Sequence, residues 1–297
     1  MPDIVIAFFA LGLLAGLVKS DLKVPQSIYD TLSILLMLVL GLKGGLRLLP
    51  IMLLGVLIPL VCYPMLRRMV QLGRDDSASI AAHYGSVSAG TFALVYALVE
   101  SQQLPLSAET TLYLVLMELP AIVVMLWLHR RLTGQGSKAG ILRESLTSRG
   151  VLLLGGGVLI GWSYGPVGLE PIAPALLGGF KTMLALFLLE MGLCTAKACW
   201  PLPWQHWRLI MFAAVMPFVL AWFGIATAVL LELPQGTSVV LAGLTASASY
   251  IAAPAAIKSA IPKANIGLAM LAALGITFPI NVFIGLPLYQ QWVSWFY

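Results

Sequence analysis

Charge is what this sequence has least of: Asp, Glu, Lys and Arg together make up 10% of 297 residues, against 60% hydrophobic. The surface of a soluble domain is about a quarter charged or more, so a soluble globular fold is excluded. Cysteine is scarce, and Cys62, Cys194 and Cys199 stand apart on apolar stretches, which supports neither a disulfide framework nor a zinc site. His83, His129 and His206 are equally dispersed, and only His83, just ahead of a polar stretch, has functional surroundings. No Ser/His/Asp set, HExxH or GxxxxGKS/T occurs, so nothing supports catalysis, a resident cofactor or ATP-driven work. A basic region and a small-residue cleavage site are missing around the first apolar run, which follows Met1-Pro2-Asp3 directly and is expected to persist as a helix.

What is present is apolar sequence in long runs, with a mean hydropathy of +0.96. Runs of this length suit membrane helices rather than barrel strands of about ten alternating residues. The pattern predicts an all-α polytopic membrane protein of ten transmembrane helices, at residues 4–18, 28–48, 51–70, 77–99, 110–128, 150–165, 172–196, 208–231, 237–259 and 265–290. The net charge of +5 falls in the connections rather than along one face, which argues for orientation in a lipid bilayer and against a nucleic-acid partner. Fourteen of the seventeen basic residues lie in alternate connections, Arg67, Arg68, Arg74 and Arg208 among them. Lys43 and Arg47 lie on the other side with Glu100, Glu109, Glu170 and Glu232, and Lys181 falls within a helix. Both termini are therefore expected outside.

Residues 129–149 form the longest polar connection and read as a cytoplasmic linker between a first repeat, 1–128, and a second, 150–297. Five helices per half would insert the second half upside down, giving a 5+5 inverted repeat. Three echoes support it: Gly41-Leu42-Lys43 with Gly192-Leu193-Cys194, Ser86 and Ser88 with Ser247 and Ser249, and Glu118-Leu119-Pro120 with Phe278-Pro279.

The serine pairs carry most of the functional signal. Ser247, Ser249 and Tyr250 interrupt an apolar run ahead of Pro254, and GSVSAGTF at residues 85–92 has the same character, so the fourth and ninth helices are expected to be broken. Small residues also serve close helix packing, but two matching breaks in two halves favour a binding site. Free N–H groups and positive dipole ends at half-helix N-termini suit a small anion. The candidate anion ligands are Ser86, Ser88, Gly90, Thr91, Ser247, Ser249 and Tyr250, with Lys43 as a further contact or an interface residue. Carboxylates inside apolar runs are costly, so Glu118 and Glu190 are candidate cation ligands, with Thr277 and Asn281 as further oxygens. A neutral glutamic acid, or one paired with Lys181 or Lys43, and helix–helix hydrogen bonds are the competing roles.

At GSVSAGTFA, MELPAIV, LEMGL and ASASYIAAPAAIKSAIPKAN, the sequence resembles the sodium-dependent bicarbonate transporter family, best known from cyanobacteria, over nearly its whole length. The resemblance implies a secondary transporter of a bacterial inner membrane, with a core domain in which the interrupted fourth and ninth helices cross, a gate domain and homotrimeric assembly; the basic asymmetry then makes the outside termini periplasmic. It also implies import of bicarbonate or a similar small anion, with sodium as coupling ion, and control by a cytoplasmic PII-like partner. Tyr250 and Glu118 stand where the cyanobacterial members have aspartates, and the central connection is shorter. A cation/proton antiporter of similar plan and a non-transporting anion receptor are the alternatives; the serine-rich breaks supply no carboxylate pair for the first, and no soluble output domain is present for the second.

Overall fold

In a computed structural model of the chain, the described residues are 4–20, 25, 27–32, 49–134, 180–199 and 203–297, with isolated positions between 156 and 179. Most of the expected second and sixth helices, the connection 135–149 and Lys43 lie outside them. Every regular element among the described residues is helical. In hydrocarbon a backbone has no water to bond, so a chain this apolar must close its hydrogen bonds within each helix.

The helices are α1 (Ile4–Leu17), α2 (Leu49–Met65, continued by a π turn Leu66–Val70), α3 (Arg74–Gly85), α4 (Ala89–Ser101), α5 (Leu112–Thr133) and α6 (Phe180–Cys199). They continue as α7 (Trp207–Leu230), α8 (Gln235–Thr245), α9 (Ala252–Ala260) and α10, which runs from Ile266 to Val293 with π turns at Leu271–Thr277 and Asn281–Gly285. Four of these continuous stretches are long and apolar enough to cross a membrane: Pro50–Val70, Glu109–Thr133, Trp204–Leu230 and Ile266–Val293.

The expected fourth and ninth helices are each two half-helices, α3–α4 and α8–α9, broken at residues 86–88 and 246–251. Helix α5 outruns its apolar run. His129, Arg130 and Arg131 stay helical, and the helix stops only where Gly134 turns left-handed at φ 72°. Charged residues end an apolar run, whereas helical hydrogen bonds continue through them.

Packing around the two broken helices is similar. Helix α2 packs on α3 and α5, and α7 packs on α8 and α10. Helices α1 and α6 form a close pair in which a Cβ on Gly192 would strike the backbone of Gly12 and Leu13. Small residues permit that approach where lipid offers no hydrophobic drive between helices.

Both broken helices are fastened at their outer ends. The Asp75 carboxylate meets His129 Nε2 at 2.7 Å, Arg74 donates to the Leu132 carbonyl at 3.0 Å, and Asp76 accepts from the Asn265 amide at 2.7 Å. At the start of α8, Thr237 Oγ1 accepts from the Ser107 amide at 2.8 Å, and the Gly236 amide donates to Pro105 at 3.0 Å.

Candidate functional site: two helix breaks that meet

The first break turns through Val87, whose φ of 47° is left-handed. A β-branched residue there carries strain of order 1–3 kcal/mol, which the surrounding packing must hold. Helix α4 restarts behind Ser88, whose extended backbone and Oγ, accepting from the Thr91 amide at 3.1 Å, make it the N-cap. At the second break Ser249 Oγ accepts from the Ala253 amide at 3.2 Å, at the second residue of α9, whose N-cap position is Ile251. Ser88 and Ser249, at matching places in the two sequence stretches, thus both serve the N-terminus of a half-helix. A serine hydroxyl that accepts one such bond can still donate its own proton.

The two breaks are joined by hydrogen bonds. The Ser88 amide donates to Ser247 Oγ at 2.8 Å, and the Ser249 amide donates to the His83 carbonyl at 2.6 Å. Ser247 passes its own proton to the Leu244 carbonyl at 2.7 Å. Helix α8 lies against α4, and α9 against α3, so the first half of one broken helix meets the second half of the other.

The sequence-predicted site residues among the described ones are all buried. Ser86 Oγ and Thr91 Oγ1 have no hydrogen-bond partner, an expensive condition for buried polar atoms, and the Tyr250 hydroxyl comes close to Ser88. The Tyr250 hydroxyl sits over Gly90, in the first turn of α4, where a Cβ would collide with it. Gly90 is thus required for close approach of a side chain to the half-helix N-terminus.

Tyr250 and Glu190 line one cavity of about 240 Å3, together with Tyr29, Met191, Cys194, Met270 and Leu274. Cys194 donates to Glu190 Oε1 at 3.3 Å, while Glu190 Oε2 has no partner. Glu118, on α5, is buried with Oε1 unpartnered and is not among the residues lining this cavity. Neither carboxylate forms an ion pair with a described side chain. Thr277 and Asn281 are fully engaged. Thr277 Oγ1 donates to the Ala213 carbonyl at 2.8 Å and accepts from the Tyr84 hydroxyl at 2.6 Å. Asn281 Nδ2 donates to the Ala246 carbonyl at 2.8 Å, and its Oδ1 accepts from Tyr289 at 2.8 Å. Asn281 thereby braces the carbonyl at the start of the second break.

Sequence reasoning missed Cys194 as the partner of Glu190, although a spacing of four on one helix was a readable signal. It also missed Tyr84 and the His83 carbonyl. Tyr84 immediately precedes Gly85, but its bond to Thr277 spans 193 positions and left no local trace.

Among the described residues no group of three or more His, Cys, Asp or Glu side chains is arranged to hold a metal ion. No curated protein matches the chain. Residues 4–294, which include both breaks, match the family described as the Na+-dependent bicarbonate transporter superfamily, and the chain therefore belongs to that family of membrane transporters.

Proposed function

We propose that the protein is a secondary transporter importing bicarbonate, or a comparably small anion, together with sodium. The observation that carries this reading is the meeting of the two serine-bearing breaks, joined from the Ser88 amide to Ser247 and from the Ser249 amide to His83. Two half-helix N-termini then bring positive dipole ends and orphan N–H groups to one buried place. The anion lies against Ser86, Ser88, Gly90, Thr91, Ser247 and Ser249, and the Tyr250 hydroxyl donates to it in place of a charged group. The unpartnered Ser86 and Thr91 oxygens support this assignment.

The coupling cation is served by Glu118 or Glu190, buried carboxylates that each retain an unpartnered oxygen. Pro120 leaves one carbonyl of α5 without its helical donor, a further oxygen near Glu118. Thr277 and Asn281 brace the helices around the site. The matching packing of α2 and α7 on the two broken helices supports a 5+5 inverted repeat of ten spans. The basic connections favour periplasmic termini in a bacterial inner membrane, and the family resemblance favours a trimer, whereas the short central connection weakens the case for a PII-like regulator.

Calorimetry on the purified protein tests the reading. Bicarbonate binds more tightly in sodium chloride than in choline chloride, and by linkage sodium binds more tightly with bicarbonate present. Bicarbonate binding indifferent to sodium contradicts it.

A further inference from the structure

We propose that a second site, at the membrane surface between α2 and α7, binds an anionic phospholipid. The site does not depend on which anion the crossing carries. Its lower part is an apolar cavity of about 450 Å3, whose walls include Met65 and Met69 from one side and Met211, Phe212, Val215 and Met216 from the other. Its upper part is a groove of about 250 Å3 that adds Gln205 and His206. The two share Val70, Gln71, Trp207 and Arg208, so they form one continuous amphipathic slot.

The fold makes this slot by local means. Leu66–Val70 is wound as a π turn and ends at Gln71 with a left-handed φ of 66°, which swings the chain away from α2 before Arg74 starts α3. Opposite it a 3-10 turn, Trp204–His206, leads into α7. A wedge opens between the two helix ends. Both ends belong to the side of the protein that collects the basic residues, here Arg67, Arg68, Arg74 and Arg208.

The lining chooses the occupant. Four methionine side chains make an adaptable apolar wall that suits a bent acyl chain. Trp204 and Trp207 are 70% and 55% exposed beside the polar part, the depth at which tryptophan sits in a bilayer. Arg208 lies over the Trp207 ring at 5.5 Å, which orders its guanidinium at the junction of the two parts. No acidic side chain lines either part. A phosphate diester at Arg208 with its chain in the methionine cavity satisfies both, whereas a soluble anion leaves the apolar part empty. A lipid held there touches two helices that each pack on a different broken helix.

Native mass spectrometry of the whole detergent-solubilised protein tests this with phosphatidylglycerol, phosphatidylcholine and, as a headgroup without chains, glycerol 3-phosphate. One basic contact at an anionic headgroup makes phosphatidylglycerol bind about fivefold more tightly than phosphatidylcholine. Arg208→Ala removes that preference, while Arg131→Ala, a basic residue stacked on Trp127 elsewhere, keeps it. Met211→Trp and Val215→Trp, at half-exposed positions that tolerate a larger side chain, both reduce binding of the two lipids. Equal binding of the two lipids by the unaltered protein overturns the proposal, as does an unchanged preference in Arg208→Ala. Loss of the preference in Arg131→Ala reveals only a diffuse basic surface and overturns it too. Competition by glycerol 3-phosphate assigns the groove to a soluble phosphate instead, and full lipid binding by both tryptophan variants removes the cavity from the account.

Discussion

The hydroxyl of Tyr250 occupies the space that a methyl group on Gly90 would fill, at the start of the half-helix that Ser88 caps. A residue from the second break therefore defines how much room remains at the N-terminus belonging to the first. Gly90→Ala should force the phenol aside, with an overpacking cost of about 1–3 kcal/mol and loss of bicarbonate binding. Tyr250→Phe removes the colliding oxygen, so the double variant should recover most of the lost stability but not the binding. Thermal unfolding and calorimetry on the four members of this cycle check it; additive stability effects would mean that the two residues do not press on each other.

Ser88→Ala and Ser249→Ala should each lower stability by about 0.5–2 kcal/mol, because each hydroxyl accepts from a backbone N–H at a half-helix start. If the same hydroxyls also donate to the anion, affinity falls by about ten- to hundredfold, the worth of a hydrogen bond to a charged group. Stability loss with unchanged affinity in both variants would confine the serines to capping.

Much of this site is visible in the sequence because breaking a membrane helix leaves a chemical mark. Ser86, Ser88, Ser247 and Ser249 are out of place in continuous apolar helix, and the breaks lie where they stand, with Pro254 in the first turn of the helix that follows the second. The roles of Thr277 and Asn281 are not visible in that way. Both are polar groups in apolar sequence, the same mark that singles out Glu118. What separates them is that Ala213 and Tyr84 for one, and Ala246 for the other, are brought close by packing, while Tyr289 reaches Asn281 along α10 itself. The end of α5 is hidden for another reason: charged residues stop a hydrophobic run without stopping a helix.

Asn281→Leu should destabilise the protein by about 1–3 kcal/mol for each stranded group, since the Ala246 carbonyl and the Tyr289 hydroxyl both lose their partner. Unfolding in detergent measures it. A neutral result would show that the second break needs no brace.

Glu118→Gln and Glu190→Gln separate the two cation candidates. The variant at the coupling site should raise the sodium concentration needed for half-maximal uptake and lower bicarbonate affinity chiefly at limiting sodium. The other should transport normally, because Gln is nearly isosteric with a protonated Glu. Wild-type sodium dependence in both would remove the carboxylates from coupling.

Ser137→Cys, in the long basic connection, should resist a membrane-impermeant thiol reagent in intact cells and react after the membrane is opened. Labelling in intact cells would reverse the proposed orientation.

Uptake of labelled bicarbonate into proteoliposomes, with an inward sodium gradient and with sodium replaced by choline, tests the central claim most directly. The account predicts accumulation only with the sodium gradient, and its loss in a Ser88→Ala/Ser249→Ala double variant that still reconstitutes. Equal uptake with and without sodium, or no bicarbonate flux under either condition, would contradict it.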